Sequence, residues 1–162
     1  MTVLKLFYLI LSGRTTKAVR SLVASMQLAR SNGQTSLARK YSRWLERFGV
    51  FISSKAVLGH DLRLPHPTAI VIGEGVVIGN GVTIYQCVTL GGRVVGDWKD
   101  GNYPSISDGC VIFAGAVIAG KVSVGRNCVI GANSVVLDDI PDNSVAVGAP
   151  ARVVKVRHVI SR

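Results

Sequence analysis

The chain has 162 residues, 48% of them hydrophobic but only 6% aromatic, and a formal net charge of +10. This is enough apolar material for one domain with a real core, which excludes a disordered or low-complexity polymer. Three cysteines (Cys87, Cys110, Cys128), with no signal-peptide cleavage pattern, point to a reducing, cytoplasmic setting, and no CxxC pair or histidine cluster has metal spacing.

The apolar run Val3–Leu11 contains Lys5 and has about half the length a bilayer-spanning helix needs, so it is not expected to cross a membrane. Residues 1–49 form a basic helical segment. Thr15–Ala29 has the spacing of a helix and ends at Ser31-Asn32-Gly33, and a second helix is expected from an N-cap at Ser36 to Phe48, closed by Gly49. This segment holds nine Lys or Arg against the single Glu46, eight of the ten net positive charges. Two readings follow: a solvated cap over the open end of the next domain, or a face drawn to anionic lipid or an anionic glycan carrier at the inner side of the membrane. No reader motif accompanies the charge, so nucleic acid is not an expected partner.

Residues 50–162 are organised differently. An aliphatic residue returns every sixth position through stretches such as Ile72, Ile78, Ile84, Leu90 and Ile106, Ile112, Ile118, Val124, Ile130, Val136. A second small or β-branched residue follows four positions later at Val76, Val82, Val88, Cys110, Ala116 and Cys128. A period of six is neither helical nor a two-residue alternation; it is that of a parallel β-helix, three hexads to a triangular coil. Gly59, Gly73, Gly79, Gly91, Gly125 and Gly131 follow the repeat aliphatics and are expected at tight corners. Mostly β structure after a short helical segment is the predicted fold class.

Two interruptions break the period, eight residues between Leu64 and Ile72 and sixteen between Leu90 and Ile106. The first contains His66 between two prolines. The second is a protruding loop, residues 91–105, rich in Gly, Asp, Trp and Tyr. Counting three hexads per coil stacks Leu64, Ile84, Ile112 and Ile130, so that His66, Gln86, Ala114 and Ala132 form one column on the outer wall. An imidazole at the foot of a groove floored by methyl groups suits a long thin ligand. His60 falls on a different edge and reads as decoration. A cap follows at residues 138–143, and the tail 153–162 is expected to be extended.

The runs His66-Pro-Thr-Ala-Ile-Val-Ile-Gly-Glu, Val82-Thr-Ile-Tyr-Gln-Cys-Val-Thr-Leu-Gly-Gly, Ile130-Gly-Ala-Asn-Ser-Val-Val-Leu and Val147-Gly-Ala-Pro-Ala-Arg resemble the serine acetyltransferase branch of the hexapeptide-repeat acyltransferases over about residues 50–155. The resemblance implies a left-handed β-helix and an acetyl-CoA-dependent O-acetyltransferase with no metal, working as a homotrimer with sites between subunits. It implies His66 as general base. It also implies a CoA groove along Gln86, Ala114 and Ala132, beside Gly91-Gly92 and near Arg152. Serine acetyltransferases carry Asp directly before the base and Asp fifteen residues earlier, where this chain has Pro65 and Phe51. They carry Arg-His before the loop proline, where this chain has Asn102-Tyr103 before Pro104.

A site without those charges is expected to hold a small zwitterion poorly. Trp98, Asn102 and Tyr103 are groups that bind sugars, so acetylation of a sugar hydroxyl in surface or capsular polysaccharide synthesis is the leading expectation. Serine O-acetylation is the alternative. A non-catalytic trimeric scaffold is a second alternative, and a hexapeptide carbonic anhydrase is set aside because His60, His66 and the remote His158 cannot gather on one metal.

Overall fold

A hexad whose first and fifth side chains point inward is stable only when the next coil covers it, so the repeat dictates stacking. The computed structural model describes residues 15–157; the apolar run Val3–Leu11 and His158 lie outside them. The repeats wind into three sheets of short parallel strands. The first sheet holds β1 (Val50–Ile52), β3 (Ile70–Ile72), β6 (Thr89–Gly91), β9 (Val117–Ala119) and β12 (Val135–Val136). The second holds β2 (Val57–Leu58), β4 (Val77–Ile78), β7 (Ser105–Ile106) and β10 (Ser123–Val124). The third holds β5 (Thr83–Ile84), β8 (Val111–Ile112), β11 (Val129–Ile130), β13 (Ser144–Gly148) and β14 (Ala151–Val156), the last pair antiparallel. This is the expected β-helix, and the expected extended tail is β14 as far as Val156.

The interior is a column of branched aliphatics. Ile72, Ile78, Ile84, Leu90, Ile112 and Ile118 are at most 1% exposed, each burial contributing roughly 2–3 kcal/mol before entropy is counted. Cys110 and Cys128 sit among them as small hydrophobes, on adjacent coils as the repeat count requires.

The glycines stand at the corners as expected, and the reason is space rather than backbone conformation. Gly59, Gly79 and Gly125 do not have positive φ; they lie where the next coil passes over them. A Cβ on Gly59 would come within 2.7 Å of the Asn80 amide nitrogen, and one on Gly125 within 2.5 Å of the Asp142 nitrogen. The left-handed turn of the corner falls two residues further on, at Asp61, Gly81, Gly109, Gly115, Asn127 and Asn133, residue types that tolerate it. Ala69 and Cys87 occupy the equivalent position with φ 52° and 59°, and both belong to the edge that carries His66.

Two helices cover the first coil. In α1 (Thr15–Ser31) Ala18, Val19, Leu22, Val23, Met26 and Ala29 recur at three- and four-residue spacing and are buried. The chain reverses at Gly33 into α2 (Thr35–Glu46), which begins at Thr35 after Gln34 rather than after a Ser36 cap, with no side-chain cap bond. Gln27 Nε2 donates to the carbonyls of Leu58 (2.8 Å) and Gly59 (3.2 Å), and the Ser42 hydroxyl donates to the Ile52 carbonyl at 2.6 Å. These bonds satisfy carbonyls that an uncovered first coil would leave to water. No helix among the described residues is long and apolar enough to cross a membrane.

Candidate functional site

Strand register fixes the wall beside His66 and corrects the sequence count at its foot. Arg63 bridges Thr83, Thr83 pairs with Val111 and Val111 with Val129, so Gln86, Ala114 and Ala132 stack along one edge. On the coil below, the two-residue insertion corrects the count: Cys87 N donates to Thr68 O at 2.9 Å, so Thr68 stands under Gln86, and His66 sits in the inserted corner beside Tyr85. Backbone bonds from Gly115 N to Gln86 O (3.0 Å) and from Asn133 N to Ala114 O (2.9 Å) hold the column. The β11–β13 register extends it to Gly148.

The neighbouring edge shows what third-position side chains ordinarily do. There the Asn80 carboxamide oxygen accepts from His60 N at 2.8 Å, and Asp108 Oδ1 accepts from Asn80 N at 2.6 Å, tying coil to coil. Along the edge that carries His66 no such side-chain bond occurs among the described residues. The His66 imidazole is exposed, and Gln86 Oε1 is buried without a partner. A buried carboxamide oxygen left unpaired costs about 1–3 kcal/mol, so this edge carries hydrogen-bonding capacity that the folded protomer does not use.

The imidazole leans on an aromatic pair. Its ring centroid lies 6.2 Å from that of Tyr85, and Tyr85 stacks on Phe113 at 5.1 Å with an interplanar angle of 12°. Nothing in the sequence reading singled out Tyr85 or Phe113; their adjacency across 28 positions appears only once the coils are stacked.

The loop residues do not join His66 within one protomer. Gly91 ends β6 opposite Ala119, so Gly91, Gly92 and the loop stand at the far edge of the first sheet from the His66 edge. The loop contains one helical turn, α3 (Asp97–Asp100). Asp97, which the sequence reading missed, organises it. Its carboxylate accepts from the backbone N–H groups of Val94 (2.8 Å) and Arg93 (2.5 Å) and from Asn102 Nδ2 (3.1 Å). These donors, Val94 foremost, then Asn102 and Arg93, hold the Asp97 carboxyl below the ordinary carboxylate range.

Two of the three residues assigned to a sugar are thus committed elsewhere. Asn102 binds Asp97, and the Tyr103 ring is half-buried over Gly73 and Gly75, with its phenol pushed up by burial and by the nearby Glu74 charge. Only Trp98, 61% exposed with the Lys99 ammonium 5.4 Å from its ring centre, remains open. Arg152 pairs with Val147 at the head of the third sheet, its guanidinium 3.2 Å from Asp138.

Two repeat models match the chain: bacterial transferase hexapeptide (six repeats) over residues 103–138, and hexapeptide repeat of succinyl-transferase over residues 68–86. The chain is 46% identical over 107 residues to the serine acetyltransferase of Haemophilus influenzae, which covers 66% of this chain and 39% of that protein. Among solved structures, a serine acetyltransferase in complex with CoA superposes with TM-score 0.74 at 38% identity, covering 85% of this chain and 56% of the other. A Neisseria gonorrhoeae serine acetyltransferase in complex with serine gives TM-score 0.73 at 38% identity, covering 85% and 56%. The chain therefore spans about half or less of the length of the relatives it matches.

These likenesses correct the acceptor expected from the sequence. The relatives are serine acetyltransferases, and of the three side chains offered to a sugar, Trp98, Asn102 and Tyr103, the loop uses the last two to hold itself. The chain belongs to the hexapeptide-repeat acyltransferases, with a β-helix of the serine acetyltransferase kind.

Proposed function

We propose that the protein is a serine O-acetyltransferase that takes its acetyl group from acetyl-CoA. The observation that carries this reading is the unspent edge: an exposed imidazole, then an unpartnered buried carboxamide oxygen and two alanines in a column, on a scaffold whose relatives bind CoA and serine. The small side chains of Ala114 and Ala132 leave room for a pantetheine arm to lie along the coils. Gln86 Oε1 offers that arm an acceptor for an amide N–H, and Arg152 at the column's head offers a cation to the nucleotide phosphates. Its exposed pairing with Asp138 holds it only weakly.

His66 acts as general base. It takes the proton of the serine hydroxyl as that oxygen attacks the thioester carbonyl carbon; the C–S bond then breaks, and the imidazolium returns the proton to the departing CoA sulfur. Such positioned proton transfer is worth roughly 10²–10⁴ in rate. The working unit is a homotrimer with sites between protomers, a reading supported by the separation of Gly91, Gly92 and the loop from His66 across the first sheet. Phe51, Pro65, Asn102 and Tyr103, standing where serine acetyltransferases carry charged or polar groups, weaken the hold on serine without altering the chemistry, so a high KM for serine is expected.

The test is mass spectrometry of a reaction holding acetyl-CoA and L-serine. Formation of O-acetylserine in proportion to released CoA supports the reading. Hydrolysis of acetyl-CoA with no acetylated serine contradicts it.

A further inference from the structure

On the first coil, under the helical cover, the edge that carries Gly91 and the loop further along the prism holds a second concave feature. A cleft of about 440 Å³ opens between the α1–α2 turn and the first corner of the β-helix, with Ala38 in its floor. Arg30 enters it from the last turn of α1, Arg39 from the second turn of α2 and Lys55 from the corner, while Thr35 and Ser54 add hydroxyls. Lys55 is paired with Glu74 at 2.6 Å; neither Arg30 nor Arg39 has a carboxylate within 4.0 Å among the described residues. Glu46 is the one acidic residue between positions 15 and 49, against Lys17, Arg20, Arg30, Arg39, Lys40, Arg43 and Arg47.

Like charges converging on a concave surface repel one another, and the field they make is focused where a multivalent anion would sit. Two guanidinium groups borne on different helices, with the Thr35 and Ser54 hydroxyls in the same lining, offer the several acceptor oxygens of a phosphate more donors than the single plane of a carboxylate can use.

We propose that this cleft is a phosphate-binding site, separate from the acyl-transfer column. Ser54 and Lys55 follow β1 and His66 precedes β3, so within one protomer the two sites stand on different edges of the prism. The phosphate is either that of an anionic lipid headgroup or that of a soluble phosphate compound; the chemistry of recognition is the same. The inference does not rest on the identity of the acetyl acceptor.

The full-length protein is titrated calorimetrically with inorganic phosphate. It is also sedimented with phosphatidylcholine vesicles made with and without phosphatidic acid. The Arg30→Gln/Arg39→Gln variant is compared with Lys17→Gln/Arg20→Gln, which removes the same charge from the other end of α1. All four side chains are exposed, so both variants should fold, as an unchanged thermal transition would verify.

Saturable binding that the cleft variant weakens about tenfold or more, and the control variant leaves intact, is the expected result. Saturation by inorganic phosphate identifies a soluble source; site-dependent binding to phosphatidic acid vesicles alone identifies the headgroup. The KM for acetyl-CoA should be the same in both variants, and a rise confined to the cleft variant would assign these arginines to the donor and overturn a separate site. The proposal also fails if neither arm shows saturable binding, or if the control variant loses as much as the cleft variant.

Discussion

The ring of Tyr103 lies against Gly73 and Gly75, where a Cβ on Gly73 would come within 2.9 Å of it. The loop thereby roots itself on its own protomer's coil, and the hydroxyl has no hydrogen-bond partner among the described residues. Tyr103→Phe should leave stability unchanged, whereas Tyr103→Ala should cost about 2 kcal/mol, less than a fully buried aromatic because the ring is partly exposed. Urea denaturation of the two variants checks this.

Asp97 gives the loop a dependence on pH. Its pKa is lowered on folding, so the stabilisation it brings is complete above the ordinary value of 3.8 and is lost as pH falls below it, through the folded value. The amide resonances of Arg93 and Val94, which donate to this carboxylate, should titrate with a midpoint below 3.8; a midpoint at or above it would contradict the assignment.

Much of this was readable in the sequence because a strict period turns local spacing into spatial register. Leu64, Ile84, Ile112 and Ile130 stack as counted, and so do Gln86, Ala114 and Ala132, but the insertion before Ile72 puts Thr68 rather than His66 in line with them. What stayed hidden depends on contacts that no period encodes. Tyr103 finds Gly75 across 28 positions, Asp97 turns back on its own loop, and Tyr85 meets Phe113 only after a ten-residue insertion is set aside. The acceptor was misjudged for the same reason, since residue type alone does not say whether Asn102 and Tyr103 are free to bind anything.

The corners separate two roles for small residues. Gly59→Ala forces a Cβ against the backbone of the coil above and should cost about 1–3 kcal/mol. Cys87→Gly relieves a left-handed conformation that a side chain opposes, and should stabilise by about 1 kcal/mol. Thermal unfolding of the pair tests both signs.

Burial sets thiol reactivity. Desolvation pushes the Cys110 thiol up to about 12 and raises that of Cys128, so neither offers a thiolate at neutral pH. Iodoacetamide should leave both unlabelled in the native protein and reach them in denaturant. Because Cys110 is raised on folding, its contribution to stability is intact below its ordinary pKa of 9.0 and is lost as pH rises from there towards 12.

The most direct test of the account is the turnover of His66→Ala with acetyl-CoA and L-serine. The side chain is exposed and holds nothing else in place, so the variant should keep the native unfolding midpoint while kcat falls roughly 10²–10⁴-fold. A folded variant that acetylates serine at the native rate would show that the imidazole is not the base.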